Sequence, residues 1–213
     1  MKCGRRPIVE TPPFRSGRSR RCVRSRIHVA GVIVSKMSLE VVMGPMFAGK
    51  TSYALSLARK YTSQGRKVLV IKPSMDTRFQ NVNEITTHDG DSLPCYTTDS
   101  LDTISPGFLA PFSVIIVDEA QFFKHLVPFA EMTVDTLQKT ACFTGLSGDS
   151  DRRPFGEFLN LIPLADKVTK LSSLCICGNP ASFTRRLQSG FGQIAVGGAE
   201  MYTPQCRMCH VYR

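Results

Sequence analysis

Residues 44–51 read Gly-Pro-Met-Phe-Ala-Gly-Lys-Thr, which fits the pattern G-x-x-x-x-G-K-[ST]. The apolar run 39–43 precedes this octamer and the helix-compatible stretch 52–61 follows it. In this order the glycines let the backbone curl around an anion, and successive N–H groups point at it from a helix N-terminus. The lysine can reach terminal phosphates and the threonine can hold Mg²⁺. The octamer therefore predicts a nucleoside triphosphate site built from Gly44, Pro45, Met46, Phe47, Ala48, Gly49, Lys50 and Thr51.

Three further runs rich in apolar residues, 66–72, 113–119 and 140–146, follow the octamer along the chain. Such runs are typical of strands buried on both faces of a parallel sheet. Helix-compatible segments alternate with them, including one predicted near residues 99–105. The sequence therefore predicts an α/β fold, a P-loop NTPase-like parallel sheet with helices on both faces.

The sequence divides into three parts by composition. Residues 1–36 contain ten Lys or Arg and one acid, so they carry most of the formal net charge of +10. Arginine among Pro, Gly and Ser, with few large apolar groups, predicts a basic, disordered tail. Residues 37–165 are predicted to form the P-loop α/β nucleotide-binding domain. Near residue 165 cysteine pairs and a Gly-rich segment begin, so residues 166–213 are predicted to form a small second domain.

Three interpretations of the tail stay open. It resembles an organelle transit peptide, because it is rich in arginine, contains serine and is nearly free of acids. It also fits an inert extension ahead of an internal start at Met37, or an arm that binds nucleic acid. The remaining chain is nearly neutral and predicts no nucleic-acid partner, and no apolar run approaches the ~18–20 residues that cross a bilayer. A cytoplasmic location is predicted, with organelle targeting through residues 1–36 as the alternative.

Two acids, Asp118 and Glu119, end the run 113–119. Ligands in open α/β sheets bind at the carboxyl ends of strands, so both carboxylates are expected opposite the phosphate loop. Asp118 is predicted to face Mg²⁺, directly or through water. Glu119 is the candidate that accepts the proton of an attacking hydroxyl, which requires a carboxylate within hydrogen-bond reach of the nucleophile.

Eight cysteines are present, and only the last four form close pairs, Cys175-x-Cys177 and Cys206-x-x-Cys209. A nucleotide-binding loop without a secretory signal indicates a reducing setting, in which paired cysteines favour a metal over disulfides. Four thiolates in two clusters predict a structural zinc site. The first pair is one residue shorter than the usual C-x-x-C, so His210 is kept as an alternative to Cys175.

Further motifs occur in order along the chain. They are Asp76-Thr77-Arg78, Thr87-His88-Asp89, Asp118-Glu119-Ala120-Gln121-Phe122-Phe123, Arg153-Pro154-Phe155-Gly156 and Gly197-Gly198-Ala199-Glu200-Met201-Tyr202. With residues 44–51 they resemble the type II (cytosolic-type) thymidine kinases, from about Leu39 to Cys209. The resemblance implies transfer of the γ-phosphoryl of ATP to the 5′-hydroxyl of thymidine, and of deoxyuridine. It further implies Mg²⁺, a zinc-bearing lasso domain and a homotetramer.

The same resemblance assigns roles by position. The catalytic base falls on Glu119. Contacts to ATP and Mg²⁺ fall on residues 44–51, Asp76, Thr77, Arg78, Asp118 and Gln121. The nucleoside pocket falls on Met46, Phe122, Leu146, Ser150, Phe155, Thr184, Gln193, Ile194, Ala195, Val196, Gly197 and Tyr202, with residues 193–197 closing over the nucleoside. Ser150 stands where the family usually has an aromatic residue, which leaves the nucleoside range open.

Two other functions fit parts of the sequence. A nucleic-acid-binding P-loop ATPase would grip DNA or RNA with the basic tail and the zinc module, and its ATP hydrolysis would respond to polynucleotide. A catalytically dead relative retained as a regulator is disfavoured, because Lys50, Thr51, Asp118 and Glu119 are all present. The leading hypothesis is a thymidine kinase.

Overall fold

Most of the chain's strands are short, and six of them form one central sheet. The computed structural model describes residues 37–76, 83–87, 90–188, 192–193 and 197–212. Within these ranges the strands are β1 Ser38–Gly44, β2 Val68–Pro73, β3 Glu84–Thr86, β4 Ser92–Pro94, β5 Tyr96–Thr98, β6 Val114–Val117, β7 Thr140–Leu146, β8 Lys167–Lys170, β9 Ser173–Leu174, β10 Pro180–Ala181, β11 Phe183–Arg186 and β12 Tyr202–Gln205. The predicted tail, residues 1–36, lies outside the described residues.

The central sheet has the strand order β5-β2-β6-β7-β1-β8. All of its pairings are parallel. The predicted parallel α/β sheet is therefore confirmed. The other strands form three antiparallel pairs, β3 with β4, β9 with β10 and β11 with β12.

Helices connect the strands and cover the sheet. They are α1 Lys50–Ser63, α2 Pro106–Leu109, α3 Leu126–Glu131 and α4 Arg207–Val211, with 3-10 turns at Leu101–Thr103, Ala120–Phe122 and Phe158–Leu164 and a π-turn at Met132–Thr136. The helix predicted near residues 99–105 is present only as the 3-10 turn Leu101–Thr103, and the α-helix begins after that range, at Pro106. Ser105 precedes a proline, which disfavours helical backbone, and it stays extended and caps α2 through Phe108 N–H.

Two apolar cores lie against the sheet, because successive strand residues point to opposite faces. On one face Val42 packs with Ala54 and Leu55 of α1. On the other face Val41 belongs to the core that contains Leu109, Phe129 and Phe158 from the remaining helical segments. Burying side chains of this size contributes roughly 1.5–3 kcal/mol each.

Three neighbouring strands, β6, β7 and β1, set the position of the candidate site. Because these strands are parallel and adjacent, their carboxyl ends Val117, Leu146 and Gly44 lie along one edge of the sheet. The octamer follows β1 and the two acids follow β6. In the part of the chain that the structure describes, no helix has the length and apolarity needed to cross a membrane.

Candidate functional site

The loop after β1 turns sharply before α1 begins. Phe47 and Gly49 both have left-handed backbone, with φ of 61° and 78°. Lys50 is the first residue of α1 and is 7% exposed, and its Nζ donates a hydrogen bond to the Pro45 carbonyl at 2.7 Å. The loop therefore holds the lysine ammonium inside its own curve.

A cleft that we call the loop cavity opens above this turn, with a volume of about 1530 Å³ that includes the open solvent at its mouth. Of the predicted triphosphate contacts, Gly44, Pro45 and Gln121 do not line it. The cavity is lined by Met46, Phe47, Ala48, Gly49, Lys50, Thr51, Ser52, Lys72, Asp76, Ile85, Thr86, Thr87, Asp118, Glu119, Gly197, Gly198, Ala199 and Glu200. Predicted residues of the octamer, Asp76 after β2, and Asp118 and Glu119 after β6 thus line one cleft.

Asp118 is 3% exposed and its carboxylate is fixed from two sides. Thr51 Oγ1 donates to Asp118 Oδ2 at 3.0 Å, and Thr144 Oγ1 donates to Oδ1. Two hydroxyl donors on opposite oxygens restrict the rotation of a carboxylate. The octamer threonine and the first of the two acids are therefore in direct contact.

Glu119 follows in left-handed backbone, with φ of 49° and 6% exposure. Its Oε2 accepts a hydrogen bond from Gln121 Nε2 at 2.6 Å, while Gln121 Oε1 accepts one from Leu146 N–H at 2.9 Å. The buried Gln121 amide thus links the end of β7 to Glu119. Gln121 is on no cavity wall among the described residues, although the resemblance assigned it an ATP contact.

A second, more apolar pocket adjoins the loop cavity, and we call it the side pocket. Its volume is about 560 Å³, again with open solvent included. Met46, Leu146, Phe155 and Tyr202 form a buried cluster there, against which Phe122 packs. The Phe122 and Phe155 rings meet edge to face, with centroids 5.4 Å apart. Five predicted nucleoside-pocket residues therefore lie together.

The side pocket also has a polar side. Predicted residues Ser150, Thr184, Gln193 and Gly197 line it, and so do Met75, Gly148, Asp149 and Arg186, which the sequence did not single out. Arg186 follows Thr184 by two residues on β11, so strand periodicity gave a signal for it. Asp149 Oδ2 accepts from Gln193 Nε2 at 2.8 Å.

Thr184 has a further partner. Its Oγ1 accepts a hydrogen bond from Met46 N–H at 2.9 Å, so β11 is tied to the loop after β1. Glu119, Met46, Asp76 and Gly197 line both cavities, and the two cavities therefore share a wall that carries two carboxylates. Five predicted site residues, Thr77, Arg78, Ile194, Ala195 and Val196, lie outside the described residues.

The four paired cysteines come together in one cluster within residues 166–213. The sulfurs of Cys175, Cys177, Cys206 and Cys209 all lie within 4.8 Å of one another, and Cys177 Sγ is 3.5 Å from Cys206 Sγ. Hydrogen bonds from the backbone of Cys177 and Cys206 lower the pKa of the Cys175 thiol to about 6. Gly178 has left-handed backbone, with φ of 84°, and its N–H donates a hydrogen bond to the Cys175 carbonyl, which closes a turn after the first cysteine pair.

His210 does not join this sulfur cluster. Its ring instead packs on Phe183, with centroids 5.5 Å apart. Burial, together with the positive charges of Arg152 and Arg185, lowers the pKa of His210. The geometry favours Cys175 over His210 as the fourth member of the set.

One family model and several known proteins match the sequence of this chain. A family model described as Thymidine kinase matches residues 37–210. Thymidine kinase a of Arabidopsis thaliana is 38% identical over 179 residues, which cover 82% of this chain and 75% of the plant protein. Thymidine kinase of Oryza sativa subsp. japonica is 39% identical over 175 residues, 79% of this chain and 64% of the rice protein. The human protein named Thymidine kinase, cytosolic is 35% identical over 173 residues, 81% of this chain and 72% of its own length.

The matched segment begins just before β1 and ends within α4, so it includes the octamer, both acids, the side pocket and the cysteine cluster. The resemblance inferred from the motifs is confirmed by these matches. On this extent of similarity, the chain belongs to the thymidine kinase family.

Proposed function

We propose that this protein is a thymidine kinase that transfers the γ-phosphoryl group of ATP to the 5′-hydroxyl of thymidine and of deoxyuridine. The observation that carries the proposal is the position of Glu119, whose carboxylate lies on the wall between the loop cavity and the side pocket. A phosphate donor in the first and an alcohol in the second would meet at this carboxylate. The names of the plant and human relatives support thymidine as the acceptor.

Residues 44–51 would bind the ATP phosphates, with Asp76, Thr77 and Arg78 as further contacts. Backbone N–H groups of the loop and the Lys50 ammonium offer the donors that a triphosphate needs. When ATP occupies the loop cavity, Lys50 Nζ would exchange the Pro45 carbonyl for a phosphate oxygen. Gln121 would act on ATP only indirectly, since its amide already joins Glu119 to β7.

Thr51 and Asp118 fit a magnesium site, because both present oxygen atoms to the loop cavity and already contact each other at 3.0 Å. Bound Mg²⁺ would offset the charge of the phosphate oxygens during transfer.

Glu119 would act as the general base. As the 5′-oxygen attacks the γ-phosphorus, the bond from that phosphorus to the β,γ-bridging oxygen breaks and ADP leaves. The hydroxyl proton passes to the Glu119 carboxylate. Gln121 Nε2 would orient the carboxylate for this step through its bond to Oε2.

The side pocket would hold the nucleoside. Met46, Phe122, Leu146, Phe155 and Tyr202 provide apolar surfaces for a pyrimidine, while Thr184, Gln193 and residues 194–197 would close over it. Ser150 contributes no aromatic surface, and polar groups lie beside it in the side pocket. Other nucleosides are therefore included among the substrates that are tested.

The four cysteines would hold one structural Zn²⁺. Tetrahedral thiolates at the usual ~2.3 Å from zinc lie about 3.8 Å apart, and the Cys177 to Cys206 sulfur distance of 3.5 Å fits such a set. On this proposal residues 37–165 are the nucleotide-binding domain and residues 166–213 the zinc-bearing lasso domain. A homotetramer and a cytoplasmic location are proposed from the family alone.

A direct assay tests the function. The protein is incubated with Mg·ATP and thymidine, deoxyuridine, deoxycytidine or deoxyguanosine, and nucleoside monophosphate is measured. We expect product from thymidine and deoxyuridine, and a loss of several orders of magnitude in kcat for Glu119→Gln with ATP binding retained. Normal turnover of Glu119→Gln would reject the role of Glu119 as the general base. ATP hydrolysis stimulated by polynucleotide, without nucleoside phosphorylation, would favour the ATPase instead.

A further inference from the structure

Thr144 on β7 contacts the carboxylate of Asp118, the candidate metal ligand. We propose that Thr144 is a positioning residue for the divalent cation: its hydroxyl holds Asp118 in the orientation in which that carboxylate, with Thr51, binds Mg²⁺. This inference deepens the proposed function and rests on it.

The register of the sheet brings the two residues together. Val117 of β6 pairs with Phe143 of β7, so the next residues along, Asp118 just after β6 and Thr144 within β7, lie side by side. Thr144 has no exposed surface and its Oγ1 donates to Asp118 Oδ1. Since both strands are fixed in the centre of the sheet, this bond has a defined direction.

Thr144 differs from Thr51, the other hydroxyl on Asp118, in where it stands. Thr51 lines the loop cavity, so its oxygen is available to a bound cation. Thr144 does not line the cavity and lies on the protein side of the carboxylate. When Thr51 turns its oxygen to the cation, the bond from Thr144 is retained. Groups that hydrogen-bond a metal ligand in this way typically change metal affinity by ~10–100-fold when removed.

The test measures metal binding rather than turnover. Mn²⁺ affinity is determined by electron paramagnetic resonance on the full chain with ATP and no nucleoside, for wild type, Thr144→Val and Thr144→Ser. We expect Thr144→Val, which removes the hydroxyl at nearly constant volume, to bind Mn²⁺ about 10–100-fold more weakly. Thr144→Ser keeps the hydroxyl and should bind within about twofold of wild type.

Thr133 provides a matched control. It is also fully buried, but its Oγ1 has no hydrogen-bond partner among the described residues. Thr133→Val therefore makes the same chemical change away from Asp118 and should leave Mn²⁺ affinity unchanged. Melting temperatures of all variants separate a general loss of stability from a loss of metal affinity.

Two results would overturn the role of Thr144: Mn²⁺ binding by Thr144→Val within about twofold of wild type, or equal weakening in Thr144→Ser. If Thr144→Val does not fold, Thr144→Ala replaces it, and equal affinity in the Ala and Ser variants overturns the inference. A third outcome separates the two claims. If Thr144→Val binds Mn²⁺ more weakly but the wild-type protein phosphorylates no nucleoside, this inference is supported and the proposed function is rejected.

Discussion

Gly156 lies where an added methyl group would strike the segment that holds Glu119. Its φ is +57°, and a Cβ built there would be 2.3 Å from the Gln121 carbonyl oxygen. Left-handed backbone costs a non-glycine residue about 1–2 kcal/mol. The overlap, which is with backbone and cannot be relieved by a rotamer change, adds about 1–3 kcal/mol. Gly156→Ala should therefore lower the free energy of unfolding by about 2–5 kcal/mol.

Gly65, just after α1, separates the two terms. It also has a left-handed φ of +73°, but a Cβ there would meet nothing within 4 Å. Gly65→Ala should lose only the backbone term of about 1–2 kcal/mol. With about 2–4 °C per kcal/mol for a chain of this size, Gly156→Ala should melt several degrees below Gly65→Ala in thermal denaturation followed by circular dichroism.

Catalysis should respond more than stability does. Displacing the Gln121 backbone moves the amide that donates to Glu119 at 2.6 Å. A shift of about 1 Å at a reacting group can cost ~10²-fold in rate. We expect Gly156→Ala to lose about that factor in kcat at a temperature where it is folded, while Gly65→Ala keeps wild-type kcat. Equal melting temperatures for the two variants, together with normal kcat for Gly156→Ala, would refute the reasoning.

Three further outcomes follow from the structure. Phe155→Ala, which removes one ring from the side pocket, should raise the KM for thymidine by about tenfold or more and leave the KM for ATP nearly unchanged in steady-state assays; an effect on ATP alone would contradict this. Chelation of zinc, or Cys177→Ser, should lower the melting temperature and nucleoside affinity before it affects kcat, with bound zinc followed by mass spectrometry; a loss of turnover at unchanged melting temperature and affinity would reject it. Burial alone would raise the pKa of Glu40, but hydrogen bonds from Lys167 and Tyr53 outweigh burial and lower that pKa. The contribution of Glu40 to stability is therefore present above its ordinary pKa of 4.5 and is lost as pH falls through the lowered value. The difference in stability between wild type and Glu40→Gln should be about 1 kcal/mol or less, because the Lys167 side chain is 61% exposed, and it should shrink in acid denaturation below pH 4.5; a constant difference would contradict the assignment.

The central strands were predictable because each is a run of apolar residues buried on both faces. The run 140–146 was identified with its observed ends, whereas the run 113–119 was predicted to begin one residue before and end two residues after the observed strand, Val114–Val117. Strands β5 and β8 gave no such signal. Tyr96–Thr98 has three residues, and Lys167–Lys170 carries a lysine at each end, as suits strands at the edges of a sheet.

The site was predictable where one motif lies in one segment. The octamer and the acids after β6 are local patterns, and the fold brings them to the same cleft. Contacts between distant segments were not visible in the sequence. Thr144 appears there as one polar residue in an apolar strand, and only the register of β6 and β7 shows its contact with Asp118. The internal role of Gln121 likewise depends on the end of β7, 25 residues away.

The hydrogen bond from Met46 N–H to Thr184 has a consequence for biosynthesis. It joins residues 138 positions apart, so a wall of the side pocket is completed by a strand that is synthesised long after the octamer. A nascent chain that has emerged only as far as β7 already contains Lys50, Asp118 and Glu119 but lacks this partner. Fragments that end before β11 would therefore carry these reactive groups without the side-pocket wall that Thr184 provides.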